Sequence, residues 1–433
     1  MLANERVGAV SSGARRGSGR VTAASAGSGL DWFNFFVANI QTGFGPFIAV
    51  YLTTQGWTQT QIGLALSVGT LAAMASQLPA GALVDAIRSK AAVALFSILA
   101  FTASAVLLAL WPTPLFVYLA EVLHGFSSCT LGPAIATMSL IIAGRQALGL
   151  RLGRNARFAA IGNGVGAALM GACGYYYSSR SVFFLTAALT IVGLVPLLPL
   201  ARLYGPGRPA ARHDAATARH RDPVVSVLTN RALLSFAVCA MLFTLGNAAM
   251  LPLAGSFVTE RAESEATLLI AAGIVLPQLV AAALSPTLGQ LAEARGRRLV
   301  LFLGFSTLPI RGVLFAAFPE PGTMVLVQAL DGIAGASLGI IGPLVTSDVA
   351  ANSGRYNLAL GFVGLMIGVG ATFSTAVAGW IADAFGNSTA FMTLAAIGLA
   401  AAALVWMAMP ETRRVMLGSK RSARNHVNGC FRR

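Results

Sequence analysis

From residue 30 to residue 409 the chain consists of apolar runs joined by short connectors. Each run is long enough to cross a ~30 Å hydrocarbon layer as a helix. Twelve runs are present, at roughly 30–53, 62–84, 91–111, 115–143, 156–177, 181–201, 232–257, 266–288, 299–318, 323–347, 357–384 and 389–409. Hydrophobic residues make up 56% of the chain, well above the share in ordinary soluble domains. The expected fold class is therefore an all-α membrane protein with 12 transmembrane helices.

The net charge of +15 does not point to nucleic acid, because the basic residues are dispersed among connectors with no folded basic domain to carry them. The connectors alternate instead between basic and non-basic, as cytoplasmic and external loops do. With both termini inside, only Arg180 and Arg261 fall outside and Arg311 within a span, out of 30 Lys and Arg. Both termini are thus expected in the cytoplasm. Residues 1–29 lack an apolar core and read as a disordered cytoplasmic N-terminal tail, and 410–433 as a basic cytoplasmic C-terminal tail. Cys129, Cys173 and Cys239 lie inside apolar runs and Cys430 in the tail, so no disulfide framework is expected.

The longest connector, 202–231, is rich in Pro, Ala and Arg and separates six runs from six. Across such a joint a repeat should be sought. "EVLHGFSSCTLG" (121–132) and "QALDGIAGASLG" (328–339) align at an offset of 207. Pro46 aligns with Pro252 at 206, bringing Gln41 onto Asn247. "GALVDAIRSK" (81–90) and "GQLAEARGRR" (289–298) align at 208, placing Asp85 on Glu293. Three widely spaced matches at nearly one offset predict two homologous six-helix halves, 30–201 and 232–409, joined by a cytoplasmic linker.

The third match carries chemistry. A hairpin turning within a few residues at the membrane surface needs glycine for close packing. A carboxylate there can sit against a helix N-terminus of the other half, where the dipole favours negative charge, and nearby arginines can pair with it. Loops merely anchored by charge would also fit. In its pattern the stretch resembles motif A of the major facilitator superfamily, Gly-x-Leu-x-Asp-x-x-Gly-Arg-Lys. The second copy matches with Gly289, Leu291, Glu293, Gly296, Arg297 and Arg298. The first matches with Gly81, Leu83, Asp85 and Lys90, but has Arg88 at the glycine and Ser89 at the arginine. "PET" at 410–412 also looks like the family's boundary after the last span. The resemblance implies two six-helix repeats around a central cavity lined by spans 1, 4, 7 and 10. It also implies a cytoplasmic gate at the motif A residues and a bacterial inner-membrane location.

Ionisable residues at membrane depth are functional candidates, because their burial is costly. Glu121 and His124 share one face of span four. Glu121 stands where the family's motif B has arginine, four residues before Gly125. Asp331, the repeat mate of His124, joins them as a proton-coupling candidate. Arg311 and Asp331 lie at similar depths on spans nine and ten and are expected to form an ion pair, structural or functional. Asn34, Gln41, Asn247 and Gln328 are the candidates to meet a solute in the cavity, with helix-to-helix hydrogen bonding as the alternative role. Asn39 and Asn163 are further amides on spans one and five.

These features imply a secondary transporter of a small organic solute working by alternating access, proton-coupled or a facilitator. A transporter-like receptor without flux is the competing reading. The stretches HGFSSC (124–129) and ALDG (329–332) do not supply the Gly-x-Ser-x-Gly or Gly-x-Gly-Asp arrangement of intramembrane proteases, and no HExxH or GxxxxGK[ST] occurs in the sequence. The expected partners are a solute, protons and the lipid bilayer. No enzyme activity, cofactor, metal or nucleic acid is expected, and the chain should act as a monomer.

Overall fold

A computed structural model describes residues 25–44, 46–204, 222–262, 266–350 and 353–413. The readings for residues 1–24, for 205–221 of the linker and for 414–433 lie outside the described residues. In lipid a backbone must satisfy its own hydrogen bonds, which is why apolar runs of this length become helices. The first half comprises α1 (Ser25–Thr54), α2 (Gln59–Ala86), α3 (Lys90–Leu110), α4 (Pro114–Ala143), α5 (Leu148–Tyr176) and α6. Helix α6 is Ser181–Leu194 bent by 46° into Leu197–Tyr204. The second half comprises α7 (Arg231–Asn247, then Met250–Ala262), α8 (Ala266–Arg295), α9 (Arg297–Ala317), α10 (Pro321–Val349), α11 (Tyr356–Phe385) and α12 (Asn387–Ala408). Eleven of these helices are long and apolar enough to cross a membrane, and the bent α6 makes the twelfth.

Two helix starts differ from the sequence reading by five residues or more. Helix α1 is already formed at Ser25, so residues 25–29 are helical rather than tail. Helix α5 starts at Leu148 rather than near 156, which brings Arg151, Arg154 and Asn155 into the span. Both shifts arise because a buried ion pair, described below, lets charged residues continue a helix that hydropathy alone would end.

The repeat is visible in the construction. α3 and α9 each have 21 residues, and α4 and α10 each open with proline in the first turn, at Pro114 and Pro321, where its missing N–H costs nothing. The first helix of each half is interrupted, α1 between Thr42 and Pro46 and α7 between Asn247 and Met250. In each half the fourth helix packs on the second and third; between halves α2 packs on α11 and α5 on α8. One apolar cluster fills the first half, around Phe33, Phe101 and Phe183, and another the second, around Phe236, Phe305 and Phe391.

The motif A turns reach the same end by different routes. Between α8 and α9 a single residue, Gly296, makes the turn with φ at +112°. Between α2 and α3 the turn takes three residues, with Ile87 and Ser89 extended on either side of a bend at Arg88. Ser89 caps α3 by accepting from Ala92 N–H at 3.2 Å. The extra length removes the need for glycine at Arg88 and puts Lys90, not Ser89, beside Arg297 in the repeat. Both bases cap the preceding helix: Lys90 donates to the Ile87 carbonyl and Arg297 to the Ala292 carbonyl at 2.6 Å. Gly296→Ala is expected to cost about 1–3 kcal/mol, since only glycine rests easily at that φ. The added Cβ would also collide with the Glu411 carboxylate. A lowered unfolding midpoint of the purified protein in detergent would show it; an unchanged midpoint would contradict it.

Candidate functional site

Both described ends of the chain, near Ser25 and Arg413, lie on one face of the bundle, here called the terminal face. On it the two halves are joined by a pair of equivalent contacts. Asp85, at the end of α2, accepts from Asn357 N–H at 3.1 Å, Leu358 N–H at 3.0 Å and Asn357 Nδ2 at 2.8 Å. These donors belong to the first turn of α11, where unpaired N–H groups and the helix dipole favour an anion. Glu293, at the end of α8, accepts from Gly149 N–H at 2.7 Å in the first turn of α5. The glycines one turn earlier let the backbones close: a Cβ on Gly81 would strike the Asn357 carbonyl, and one on Gly289 the Gly149 carbonyl. Thr137 of α4 adds a 2.8 Å bond to Asn357.

The second contact is tied into a charge network. Arg297, 3% exposed, bonds Glu293 at 3.1 Å and Asp348 of α10 at 3.2 Å. Glu411 of "PET" caps α9 by accepting from Arg297 N–H at 2.9 Å and Arg298 N–H at 3.1 Å. Thr412 donates to Asp348 at 3.1 Å. The guanidinium of Arg298 lies 5.1 Å from the Trp406 ring centre.

Above this layer, between the halves, lies a cavity of about 450 Å³ lined by α1, α4, α5, α8 and α10. That is ample for a small organic molecule. Its wall is mostly Ala, Gly, Pro and Leu, with Asn34, Asn155, Asn163, Gln278, Ser285 and Asp331 as its polar groups. Asn163 donates to Gln278 across the halves at 3.4 Å and accepts from Thr42 at 3.2 Å. Asn34 donates to the Leu30 carbonyl at 2.6 Å, leaving its carbonyl oxygen for other donors.

Asp331 is the cavity's carboxylate. It pairs with Arg311, whose side chain is 2% exposed against 29% for Asp331. The same guanidinium donates to Asn247 at 2.7 Å and meets the Met250 sulfur at 3.2 Å. One buried cation thus grips both sides of the α7 interruption and the cavity carboxylate.

Helices of this kind, paired in this way around such a cavity, invite comparison with known proteins. A sequence model of the Major Facilitator Superfamily matches residues 30–276 and 236–428. The chain belongs to the major facilitator superfamily. It is 33% identical over 393 residues to an uncharacterized MFS-type transporter of Mycobacterium tuberculosis strain CDC 1551 / Oshkosh, covering 88% of this chain and 93% of that one. The match to its counterpart in strain H37Rv has the same values. Among solved structures the fold is similar to the human organic anion transporter MFSD10, with a TM-score of 0.69, 14% identity, and coverage of 88% of this chain and 99% of the other. It is also similar to the proton:xylose symporter XylE bound to 6-bromo-6-deoxy-D-glucose, with a TM-score of 0.67, 14% identity, and coverage of 90% and 96%. The chain is a multi-pass membrane protein of a transporter family, not an enzyme.

Within this superfamily fold, several sequence candidates sit elsewhere than expected. Of the four cavity amides, only Asn34 lines the cavity. Asn247 is taken by Arg311, because the α7 interruption turns it towards α9. Gln41 is partly buried away from the lining. Gln328 is 2% exposed and faces a separate cavity of about 20 Å³ beside Leu251, Gly273 and Met324. Neither Glu121 nor His124 lines the large cavity; they face α1 and α2 within their own half. Asn39 packs against Gly166 of α5.

The sequence reading missed Asp31, Asn155 and Gln278. Asp31 is 1% exposed and pairs with Arg151 and, at 2.6 Å, with Arg154. Arg151 also donates to Asn155 at 2.8 Å, which donates to Ser139 at 2.7 Å. An acid just inside an apolar run, with two arginines five places or fewer before another, was the available signal.

Proposed function

We propose that the chain is a secondary active transporter that carries a small polar organic solute across the membrane by alternating access, with protons as the coupling ion. The cavity between the halves, walled by amides and one ion-paired carboxylate and shut at the terminal face by helix-capping acids, supports this reading. Contacts between halves that consist of hydrogen bonds at helix ends can break without unfolding either half. Asp331 is the coupling group of the solute cavity: a proton on it weakens the hold of Arg311 and frees Asn247 and the α7 interruption. The proton:xylose symporter of similar fold lends weight to coupling of this kind. The basic connectors favour the cytoplasm for the terminal face, and on this reading the protein works as a monomer in a bacterial inner membrane.

The test begins with thermal shifts of the purified protein against metabolites, because a solute at 100 times its Kd stabilises the fold by ~2.7 kcal/mol. Hits are then followed in proteoliposomes for counterflow and for accompanying proton movement. Expected are counterflow and proton flux, both reduced in Asp331→Asn. Binding without counterflow would turn the reading to a receptor, and counterflow without protons to a facilitator.

A further inference from the structure

Residues 121 and 328 are equivalent in the two halves, and both are buried with side-chain atoms that find no hydrogen-bond partner. In the second half the residue is a neutral amide, Gln328. In the first it is an acid, Glu121, 3% exposed, with Oε1 unpartnered. The reason is steric. α2 and α4 approach so closely that a Cβ on Gly69 would collide with Glu121 Oε2, and one on Gly125 would lie 2.7 Å from the Gly69 carbonyl. No side chain fits between them to pair with the acid.

The titratable neighbour of Glu121 is His124, whose Nδ1 lies 4.0 Å from Oε2, too far for a hydrogen bond but close enough to interact by charge. The other charged groups on the surrounding helices lie elsewhere. α2 brings Asp85 and α3 brings Lys90, both at the terminal face. On α1, Asp31 is held by Arg151 and Arg154 of α5, and the Tyr51 hydroxyl donates to the Leu108 carbonyl at 2.9 Å. On α4 itself Tyr118, three residues before Glu121, lies on the same helical face one turn nearer the start of the helix. α11 meets α4 through Thr137 and Asn357, near the terminal face.

His124 is 24% exposed and stacks on Phe44 at 4.5 Å and 13°, with Phe101 edge-on at 5.3 Å. Phe44 occupies the interruption of α1. Its repeat mate is Met250, at the interruption of α7 and in contact with Arg311. Each half therefore has a titratable residue of its fourth helix, His124 or Asp331, connected to the break in its first helix.

We propose that Glu121 and His124 form a proton-binding site separate from the solute cavity, whose loading acts on the α1 interruption through the His124–Phe44 stack. An ionised Glu121 leaves a buried oxygen without a hydrogen-bond partner, which is costly, and a proton removes that charge. The partly exposed His124, about 15 Å along α4 from the face opposite the termini, is the route by which the proton enters. A charged imidazole balances Glu121⁻ across the 4.0 Å gap but changes its contact with Phe44, which ties the state of the acid to the stack.

The experiment needs no solute, so its outcome stands apart from the transport reading. Purified protein in nanodiscs is taken through a pH-difference infrared spectrum, and hydrogen exchange of the α1 segment around Phe44 is followed over the same range, referenced to α9. The expected result is a buried carboxyl C=O band that is lost in Glu121→Gln, shifted in Glu121→Asp and retained in Asp331→Asn. Exchange at the α1 interruption should change with pH in the parent and lose that change in Glu121→Gln. Gln328 already occupies the equivalent site, so this variant is expected to fold. A band unaltered in Glu121→Gln would overturn the proton site. A band lost while α1 still responds to pH would overturn its link to the helix break.

Discussion

Asp85→Asn should open the terminal face. The carboxylate holds three donors of the α11 terminus, and each hydrogen bond to a charged group contributes about 1.5–3 kcal/mol. Losing even one such contribution shifts an open-to-closed ratio by about tenfold or more. A cysteine at Ser285, which is fully buried and borders the cavity between the halves, reports the change. In a background with the native cysteines replaced by serine, a membrane-impermeant maleimide should label it about tenfold faster in Asp85→Asn than in the parent, in keeping with that ratio. Glu293→Gln should act in the same direction, because Gly149 would lose its charged acceptor. Equal labelling rates in parent and variants would reduce the motif to a topological anchor.

The second large effect is on stability. Asp331→Leu leaves Arg311 buried without its counter-ion, and stranding a buried charge costs about 3–5 kcal/mol. Arg311→Met strands much less, since Asp331 still borders the cavity. Removing both partners should be milder than Asp331→Leu alone, giving a coupling of about 1–3 kcal/mol in a double-mutant cycle on unfolding in detergent. Additive losses would mean that the pair holds nothing together.

The fold was legible because hydrophobic length and charge alternation are direct physical demands of a bilayer, and because three matches at one offset carried the repeat. The acids at 85 and 293 were legible for a related reason: a carboxylate at a hairpin end has few places to go besides a helix N-terminus. Side-chain direction was not legible. Gln41 and Asn247 sit on helices expected to line the cavity, yet a helix presents only one face to it, and the interruption of α7 rotates that face. The cluster of Asp31 with Arg151 and Arg154 was hidden for the opposite reason. Hydropathy ends a span at its charges, whereas ions that neutralise each other can lie inside it. Gln278 was passed over because an amide on a long apolar helix gives no signal until the partner across the interface, Asn163, is placed.

Helix α9 faces outward with Leu303, Ile310 and Val313 exposed, while its next residue after Ile310 is the arginine that holds Asp331. Lipid and the cavity's carboxylate are therefore linked through a single helix, α9, whose two sides move as one body. A thicker or thinner hydrocarbon layer changes the tilt a helix prefers, and a tilt of α9 carries the Arg311 guanidinium with it. The bilayer acts through this helix on the charge at the heart of the protein, so membrane thickness becomes one of the quantities that set how tightly the cavity holds its carboxylate.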